Sequence, residues 1–575
     1  MPVHNSEIAD IFNEIADLLE IKGGNQFRIR AYRSAAQNIG SLAKRVEDMV
    51  EKGEDLSEMP GIGKDLAGKI ETIVKTGNLK QLKDLRKKVD PRLTDLMKIP
   101  GLGAKKIKKI HDALDVTTMQ DLEKAAKDQK IRELEGFGKK TEESILEQIE
   151  DIKDRKKEGR TPLLRAEQIV EPLVEYMNKS DAVSKIDVAG SYRRKKETVG
   201  DVDILVVSKS SKKAIQHFID YVDVKKVDSK GETRSTVFLK SNFQVDLRVV
   251  PDKSYGAALL YFTGSKAHNI ALRNIAKDGN LKINEYGVFK GEKSKAGKTE
   301  EEIYELFNMD YIPPEIRENS GEIEAAQKGN LPELLKMKDL KGDLHTHTDE
   351  TDGKLTLKEM AQAAKDFGYD YIGISDHSQN VSVTQGMDAD RLLKQIKAID
   401  KLNKKMKGIR VLKGVEVDIL KDGSLDMPDE VLKKLDYAIC SIHSYFNLSR
   451  KKQTERVLKA MDHPCFNIFG HPTGKMRGKR DSIDIDLEKI MKKAKDKGCI
   501  MELNSQPDRL DLNDANCRMA KEYGLKIAVS TDAHQGESLN FIRFGIGQAR
   551  RGWLEKKDVI NTKTWKSLKK VFKRK

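Results

Sequence analysis

From residue 339 onward, short apolar runs alternate with helical stretches, and metal-binding residue types stand at or just past the ends of the runs. The strand candidates are residues 340–345, 371–375, 411–417, 437–441, 466–469, 499–503 and 526–530. Seven βα units with strands this short predict a closed or nearly closed α/β barrel. At the strand ends stand His345 and His347, Asp352 on the loop behind them, His377, Glu416, His443, His471, and Asp532 with His534. A barrel gathers its strand ends at one rim, so separate loops would deliver all of these groups to one mouth. Imidazole with carboxylate suits Mn²⁺, Zn²⁺ or Fe²⁺, and the donors are too many for one ion, so two or three bridged ions are expected. Such clusters activate water and clamp phosphoester oxygens during hydrolysis. Chance is a poor rival, because 345, 347, 377, 443, 471 and 534 account for six of the chain's 11 histidines.

The first 150 residues follow another period. Ile8, Ile11, Phe12, Ile15, Leu18 and Leu19 recur at helical spacing. Within this region a motif repeats three times: Met59-Pro-Gly-Ile-Gly63, Ile99-Pro-Gly-Leu-Gly103 and Leu134-Glu-Gly-Phe-Gly138, each followed by a lysine-bearing helix. A Pro-Gly-x-Gly hairpin between helices offers backbone N–H groups to a phosphate without reading bases. One copy would signify only a turn, whereas three in one frame predict a grip on DNA. Its candidate residues are Gly61, Gly63, Gly101, Gly103, Lys105, Gly136 and Gly138, with Glu135 replacing the proline of the third copy.

Between about 160 and 250 the period becomes two, with strand-like runs at 201–207, 235–239 and 243–250. Asp201 and Asp203 stand at i and i+2, so they share a strand face about 7 Å apart. Asp246 lies between Val245 and Leu247 on a later strand. If the two strands are neighbours, three carboxylates converge and can hold two Mg²⁺ ions for in-line phosphoryl transfer. An Asp-x-Asp alone is more often a solvent face. Here it follows Gly190-Ser-Tyr-Arg-Arg194, a turn whose N–H groups suit phosphate and whose Arg193 or Arg194 could add a bidentate contact. The stretch from Pro313 to about Lys338, rich in glutamate, glycine and proline, reads as a linker.

Gly-Ser followed by Asp-x-Asp resembles the nucleotidyltransferase signature of the DNA polymerase beta superfamily. Tyr261-Phe-Thr-Gly-Ser265, Asn269, Arg273 and Ile283-Asn-Glu-Tyr286 narrow the resemblance to family X DNA polymerases. The barrel residues resemble the PHP (polymerase and histidinol phosphatase) domain with no ligand missing. The resemblance covers nearly the whole chain and implies a multidomain α+β and α/β protein. Its expected parts are a helical, lyase-like helix-hairpin-helix domain (1–88), a second helix-hairpin-helix domain (89–155), a nucleotidyltransferase palm (156–255), a small nucleotide-selecting thumb (256–317), a linker (318–336) and a distorted (β/α)7 PHP barrel (337–575).

By the same resemblance, Asp201 and Asp203 bind both polymerase ions, Mg²⁺ or Mn²⁺, and Asp246 assists the one activating the primer 3′-OH. Gly190, Ser191 and Arg194 hold the triphosphate. The Tyr261–Gly264 turn, with Phe262, stacks on the sugar and excludes a 2′-OH, and Asn269 and Arg273 line the minor-groove side of the nascent pair. Lys266 departs from the acidic residue of animal members. The PHP ions are expected to be Mn²⁺ or Zn²⁺, serving a 3′→5′ exonuclease first, with apurinic-site endonuclease or 3′-phosphatase activity as alternatives. Residues 30–36 and 61–70 resemble the deoxyribose-phosphate lyase domain, with Lys69 at the Schiff-base position, although Asp65 replaces a lysine of the animal enzyme.

Charge agrees with these partners. Lys+Arg exceed Asp+Glu by 30 to 21 over residues 151–300 and by 39 to 23 over 401–575, while 301–400 is acidic, so two basic bodies face polyanions. Lys475, Arg477, Lys479 and Arg480 follow His471, Arg509 is a candidate phosphate grip, and 556–575 reads as a solvated basic tail. No apolar run reaches eighteen residues and the four cysteines share no C-x-x-C spacing, which argues against a membrane span or disulfide framework and for the cytoplasm. The expected partners are gapped or primer-template DNA and dNTPs, bound by a monomer in gap-filling repair. Two rivals are a repair nuclease whose polymerase half only positions DNA, and a PHP barrel whose metal is structural.

Overall fold

The computed structural model describes residues 5–41, 46–59, 61–97, 99, 102–158, 160–381, 384–477 and 480–573. Met1–Arg160 and Thr161–Lys575 are two compact units.

The first unit is helical and has two cores. Helices Asn5–Ile21, Gln26–Ser41, Lys64–Thr76 and Lys80–Arg86 pack around Ile8, Phe12, Ile15, Ile70 and Ile73. Ala104–Leu114, Met119–Lys127 and the start of Lys139–Glu158 close around Leu102, Ile107, Leu122 and Ile145. The three repeats share one closing hydrogen bond: Ile62, Leu102 and Phe137 each donate their N–H to the carbonyl three residues back, at 3.1, 3.1 and 2.9 Å. Each of those apolar side chains is buried, while Gly61, Gly63, Gly103, Gly136 and Gly138 are exposed.

In the second unit a five-stranded sheet runs in the order Val183–Val188, Asp201–Ser208, Gln244–Val249, Arg234–Leu239, Val224–Lys230. The Asp201 and Gln244 strands are parallel, in a register that sets Asp203 opposite Asp246. Val202, Ile204, Val245 and Leu247 point into the core, so the carboxylates between them share the other face. Helices Tyr255–Thr263 and Lys266–Asp278 lead to a small antiparallel sheet, Lys282–Asn284, Gly287–Lys290 and Lys293–Ala296.

The expected linker is folded. A 3₁₀ turn, Pro314–Ile316, and a helix, Glu322–Gln327, bury Ile316, Ile323 and Ala326 in the core of the thumb. The polar composition misled because its charges are paired internally. Glu322 accepts from buried His268 at 2.7 Å, and fully buried Arg317 donates to Glu300 at 2.5 Å. Glu300 also takes both guanidinium nitrogens of Arg193, at 2.9 and 2.7 Å.

Burial works against Glu300's charge, but Arg317 and Arg193 prevail and hold its carboxyl at about 2, below the ordinary 4.5. Glu300→Gln should therefore cost about 3–5 kcal/mol, because it strands a buried guanidinium. The sign follows from the depressed value. The contribution is present above the ordinary glutamate value and is lost as pH falls toward about 2. Unfolding curves of the two proteins should stand apart at pH 7 and converge in acid; equal curves at pH 7 would refute the argument.

The barrel is built of short parallel strands in two arcs. Gly342–Asp343, Tyr371–Ile374 and Arg410–Lys413 form one arc, and Glu416–Asp418, Ile439–Ser441, Ile468–Phe469, Ile500–Asn504 and Ile527–Ser530 form the other. Parallel bridges His377–Glu416 and Thr346–Ala533 join the arcs at both seams. The strand expected at 411–417 breaks at Gly414, where a Cβ would stand 2.8 Å from the Ile374 carbonyl and from the Tyr437 ring. The expected basic tail is folded too. Helix Trp565–Phe572 buries Leu568 and Phe572, and the Phe572 ring stacks on Tyr437 at 5.0 Å.

Candidate active sites

The carboxylate face of the palm meets the Gly190 turn. Gly190, at φ +68°, is so close to the strand that a Cβ there would stand 3.6 Å from Asp203 Oδ2. Asp246 is oriented by Thr236 and by Gln244 Nε2 at 2.8 Å. Burial, then the charges of Asp201 and Asp246, push Asp203 up to about 7, with Arg248 opposing from 3.8 Å. Three carboxylates so crowded have the donor chemistry of a site for hard divalent cations.

Of the two arginines in the turn, Arg193 is committed to Glu300 and to Thr263 Oγ1 at 2.7 Å. Arg194 lies against the Tyr261–Gly264 turn: its guanidinium donates to the Thr263 carbonyl, and a Cβ on Gly264 would meet its Nη1 at 3.2 Å. Tyr261, Asn269, Arg273, Ile283 and Asn284 line one cleft. Asn269 Nδ2 donates to the Tyr261 carbonyl at 2.7 Å, Arg273 lies 5.3 Å from the Tyr261 ring, and Arg248 stacks on Phe262 at 4.2 Å.

At the barrel mouth all the expected ligands converge. Buried Glu416 is the hub. Its Oε2 lies 3.0 Å from His377, 3.3 Å from His345 and 3.6 Å from His347; its Oε1 lies 2.9 Å from His471 and 3.2 Å from His443. Asp532 approaches His347 at 3.1 Å, and Asp352 approaches His534 at 3.2 Å and His377 at 3.6 Å. Three groups have donor atoms mutually within 4.8 Å: His347–Asp352–His377–His534, His345–His347–Asp532 and His377–Glu416–His443. Among the described residues, buried ring nitrogens of His345, His347, His443 and His471 lack a well-aligned hydrogen bond, as expected of nitrogens shaped for ions. Asp532 and His471 adopt φ of +54° and +25°, strained for residues with a side chain.

The site is poised to exchange protons for metal. Burial and the neighbouring His534 and His377 press His347 down to about 3, so it is neutral at physiological pH. His377 is held up at about 10, because Glu416 and Asp352 outweigh its burial. Ion binding must displace that proton, so affinity rises with pH.

The sequence did not single out a second row of carboxylates. Glu502 accepts from His345 Nδ1 at 2.7 Å and from the His471 N–H at 2.6 Å, which fixes ring and backbone together. Asp343 binds the His345 N–H and Thr531, Asp376 braces Thr348 and Thr351, and Asp418 accepts the His443 N–H at 2.9 Å. The only sequence signal was an isolated acid in an apolar strand, as in Glu502 or Asp418. Arg509 stands 3.6 Å from Asp532, and its Nη1 has no hydrogen-bond partner among the described residues. Lys475 and Arg477 both serve Glu197, at 2.8 and 2.6 Å.

In the first unit, Gly63 and Gly103 occupy the N-cap positions of their helices without a side-chain cap, and exposed Lys105 lies in the first turn of the second. Gly61 and Gly136 adopt positive φ, and Gly138 directly precedes Lys139–Glu158; Gly101, like Lys479 in the barrel, lies outside the described residues. Lys109 Nζ donates to the Glu135 carbonyl at 2.6 Å and so ties the second repeat to the third. Lys69 is paired with Asp65 at 2.5 Å and lies 5.2 Å from the Tyr32 ring.

Sheet, turn and mouth define a polymerase-beta-type nucleotidyltransferase joined to a PHP metal-dependent phosphoesterase barrel. Comparisons agree along the chain. Residues 3–79 match the helix-hairpin-helix domain, 93–151 the SAM-like helix-hairpin-helix tandem, 160–260 the DNA polymerase beta palm, 258–318 the DNA polymerase beta thumb and 343–506 the PHP domain. The DNA polymerase/3′-5′ exonuclease PolX of Bacillus subtilis (strain 168) is 36% identical over 576 residues, covering 100% of both chains. A probable phosphatase of Thermoanaerobacter sp. (strain X514) is 31% identical over 244 residues, 40% of this chain and 94% of its own. A probable phosphatase of Acetivibrio thermocellus is 29% identical over 218 residues, 36% of this chain and 83% of its own. The chain belongs to the family X DNA polymerases that carry a C-terminal PHP domain. Among the described residues no helix is long and apolar enough to cross a membrane.

Proposed function

We infer that this protein fills short gaps in DNA by template-directed synthesis and trims 3′ ends with its barrel, as a cytoplasmic monomer in base-excision repair. The observation that carries the reading is that one chain carries two candidate donor sets of different chemistry. One is a carboxylate trio beside a phosphate-binding turn, and the other is a histidine-rich mouth.

In the palm, Asp201, Asp203 and Asp246 would hold Mg²⁺ or Mn²⁺, which when bound acidifies the primer 3′-OH and neutralises the departing pyrophosphate. Gly190 and Ser191 offer N–H groups to the triphosphate and Arg194 a guanidinium. The Tyr261–Gly264 turn, braced by Asn269, presses on the sugar where a 2′-OH would project. Phe262, backed by Arg248, stiffens that turn, and Arg273 reaches the minor-groove edge of the pair. In the barrel, two or three Mn²⁺ or Zn²⁺ ions would supply an activated water and charge neutralisation at phosphorus. Arg509 grips a phosphate oxygen beside Asp532. The helix-hairpin-helix glycines, with Lys105, hold the DNA backbone on either side of the gap.

The test is a one-nucleotide gapped duplex, primer-labelled, with Mn²⁺. The intact chain should extend the primer with dNTPs and shorten it without them; failure of both would sink the reading. A lyase activity would use Lys69, whose unprotonated amine adds to the opened sugar aldehyde and expels water to form a Schiff base. Borohydride should then trap a covalent adduct on 5′-deoxyribose-phosphate DNA. Lys69→Ala should abolish it and Lys64→Ala should leave it; trapping undiminished in Lys69→Ala would exclude the assignment.

A further inference from the structure

The barrel holds four consecutive residues, 194–197, at and just past the end of the phosphate-binding turn, either directly or through Glu318. Arg551 Nη1 donates to the Arg194 carbonyl at 2.9 Å, and Gln548, on the same helix (Ile542–Arg551), donates to the Lys195 carbonyl at 2.9 Å. Lys196 and Arg194 both pair with Glu318, at 3.5 and 3.1 Å, and Arg551 pairs with that same carboxylate at 3.1 Å. Glu197 is bound by Lys475 and Arg477, from the loop that follows His471. Arg551 is itself anchored within the barrel by Asp514, at 2.8 and 2.6 Å, and only 5% of its side chain is exposed.

We propose that Arg551 is a positioning residue for the triphosphate grip of the polymerase site, acting through Glu318 and the Arg194 backbone. The proposal rests on Arg194 holding the triphosphate. Glu318 and an incoming triphosphate are rival anions for the Arg194 guanidinium. Arg551 draws part of the Glu318 charge toward the barrel and pins the Arg194 carbonyl, which leaves the guanidinium aimed and only partly neutralised. Without Arg551, Glu318 retains Arg194 more strongly and the turn loses its donor. Both effects weaken triphosphate binding. Arg194 would touch the triphosphate in the ground state and the transition state alike, so the loss falls on KM rather than on kcat.

The experiment is steady-state filling of a one-nucleotide gap by the full-length protein over a range of dNTP concentrations. Arg551→Gln should raise the dNTP KM by about five- to tenfold with kcat within about twofold, and 3′-end shortening should be unchanged. Glu318→Gln in the same chain, which removes the competing charge, should bring KM back to within about twofold of the intact protein. A merely structural role for Arg551 would not be rescued by removing its partner. Arg551→Lys, which keeps the charge but not the forked reach, should give an intermediate KM and carries the comparison if the glutamine variant fails to fold. An unchanged KM in Arg551→Gln, or an elevated one that Glu318→Gln does not relieve, overturns the proposal. Arg194→Gln separates the two readings. If it leaves KM unchanged, the triphosphate role of Arg194 falls and this proposal with it; if it raises KM while Arg551→Gln does not, this proposal falls alone.

Discussion

Asp203→Asn should stop nucleotide incorporation on the gapped duplex, by at least about 10²- to 10³-fold, and leave shortening of the same primer intact. Asp203 is the middle member of the trio: it shares a strand face with Asp201 and the register with Asp246. Asparagine preserves shape and removes one negative charge, so the site loses the ligand most compressed by its neighbours. Stability should move the other way. A carboxyl raised to about 7 destabilises the ion-free fold as pH climbs from the ordinary 3.8 through that value. In EDTA at pH 8 the asparagine variant should therefore melt no lower than the parent, whereas added Mn²⁺ should raise the melting temperature of the parent more. Incorporation that survives the substitution would remove the assignment of polymerase chemistry to this carboxylate trio, whereas a parent chain that never incorporates would favour a nuclease whose palm only positions DNA.

Glu416→Gln is the corresponding cut in the barrel. Five imidazoles lie within 3.6 Å of this one carboxylate, which belongs to one donor group and abuts the other two. Burial disfavours its charge, yet His443, His345 and His377 hold it well below the usual carboxylate range. A glutamine would aim a neutral amide at the same nitrogens and remove the charge that binds the ions. Shortening should fall by on the order of 10³-fold and bound metal, measured by elemental analysis of the purified protein, should drop, while extension continues. If the variant lost metal and unfolded together, the ions would be structural. If it lost metal and kept shortening primers, the hydrolytic site would lie elsewhere.

The legible parts of this protein were those in which chemistry is packed into adjacent residues. Asp201 and Asp203 advertise themselves two apart on a strand, the Pro-Gly-x-Gly turns repeat, and each barrel ligand sits where a short apolar run ends. What escaped notice is carried by pairs remote in the chain. Glu502 finds His345 across 157 residues, and Arg551 reaches Arg194 across 357. Composition failed for the same reason. The segment from 313 to 338 is polar because it is wired into ion pairs, and the lysine-rich final helix hides one apolar stripe against Tyr437. Lys475 and Arg477 stand in a basic run beside His471, yet their partner is Glu197, nearly 280 residues upstream.

The palm and thumb also borrow their greasy interior from outside themselves. Leu510 and Phe544 of the barrel sit in the core of the palm, and Trp553 sits in that of the thumb. Cutting the gene between the halves would therefore leave a sticky scar on each product. A barrel cut free of palm and thumb would expose those three side chains to solvent. Fusion here is less a tether between two enzymes than a shared wall.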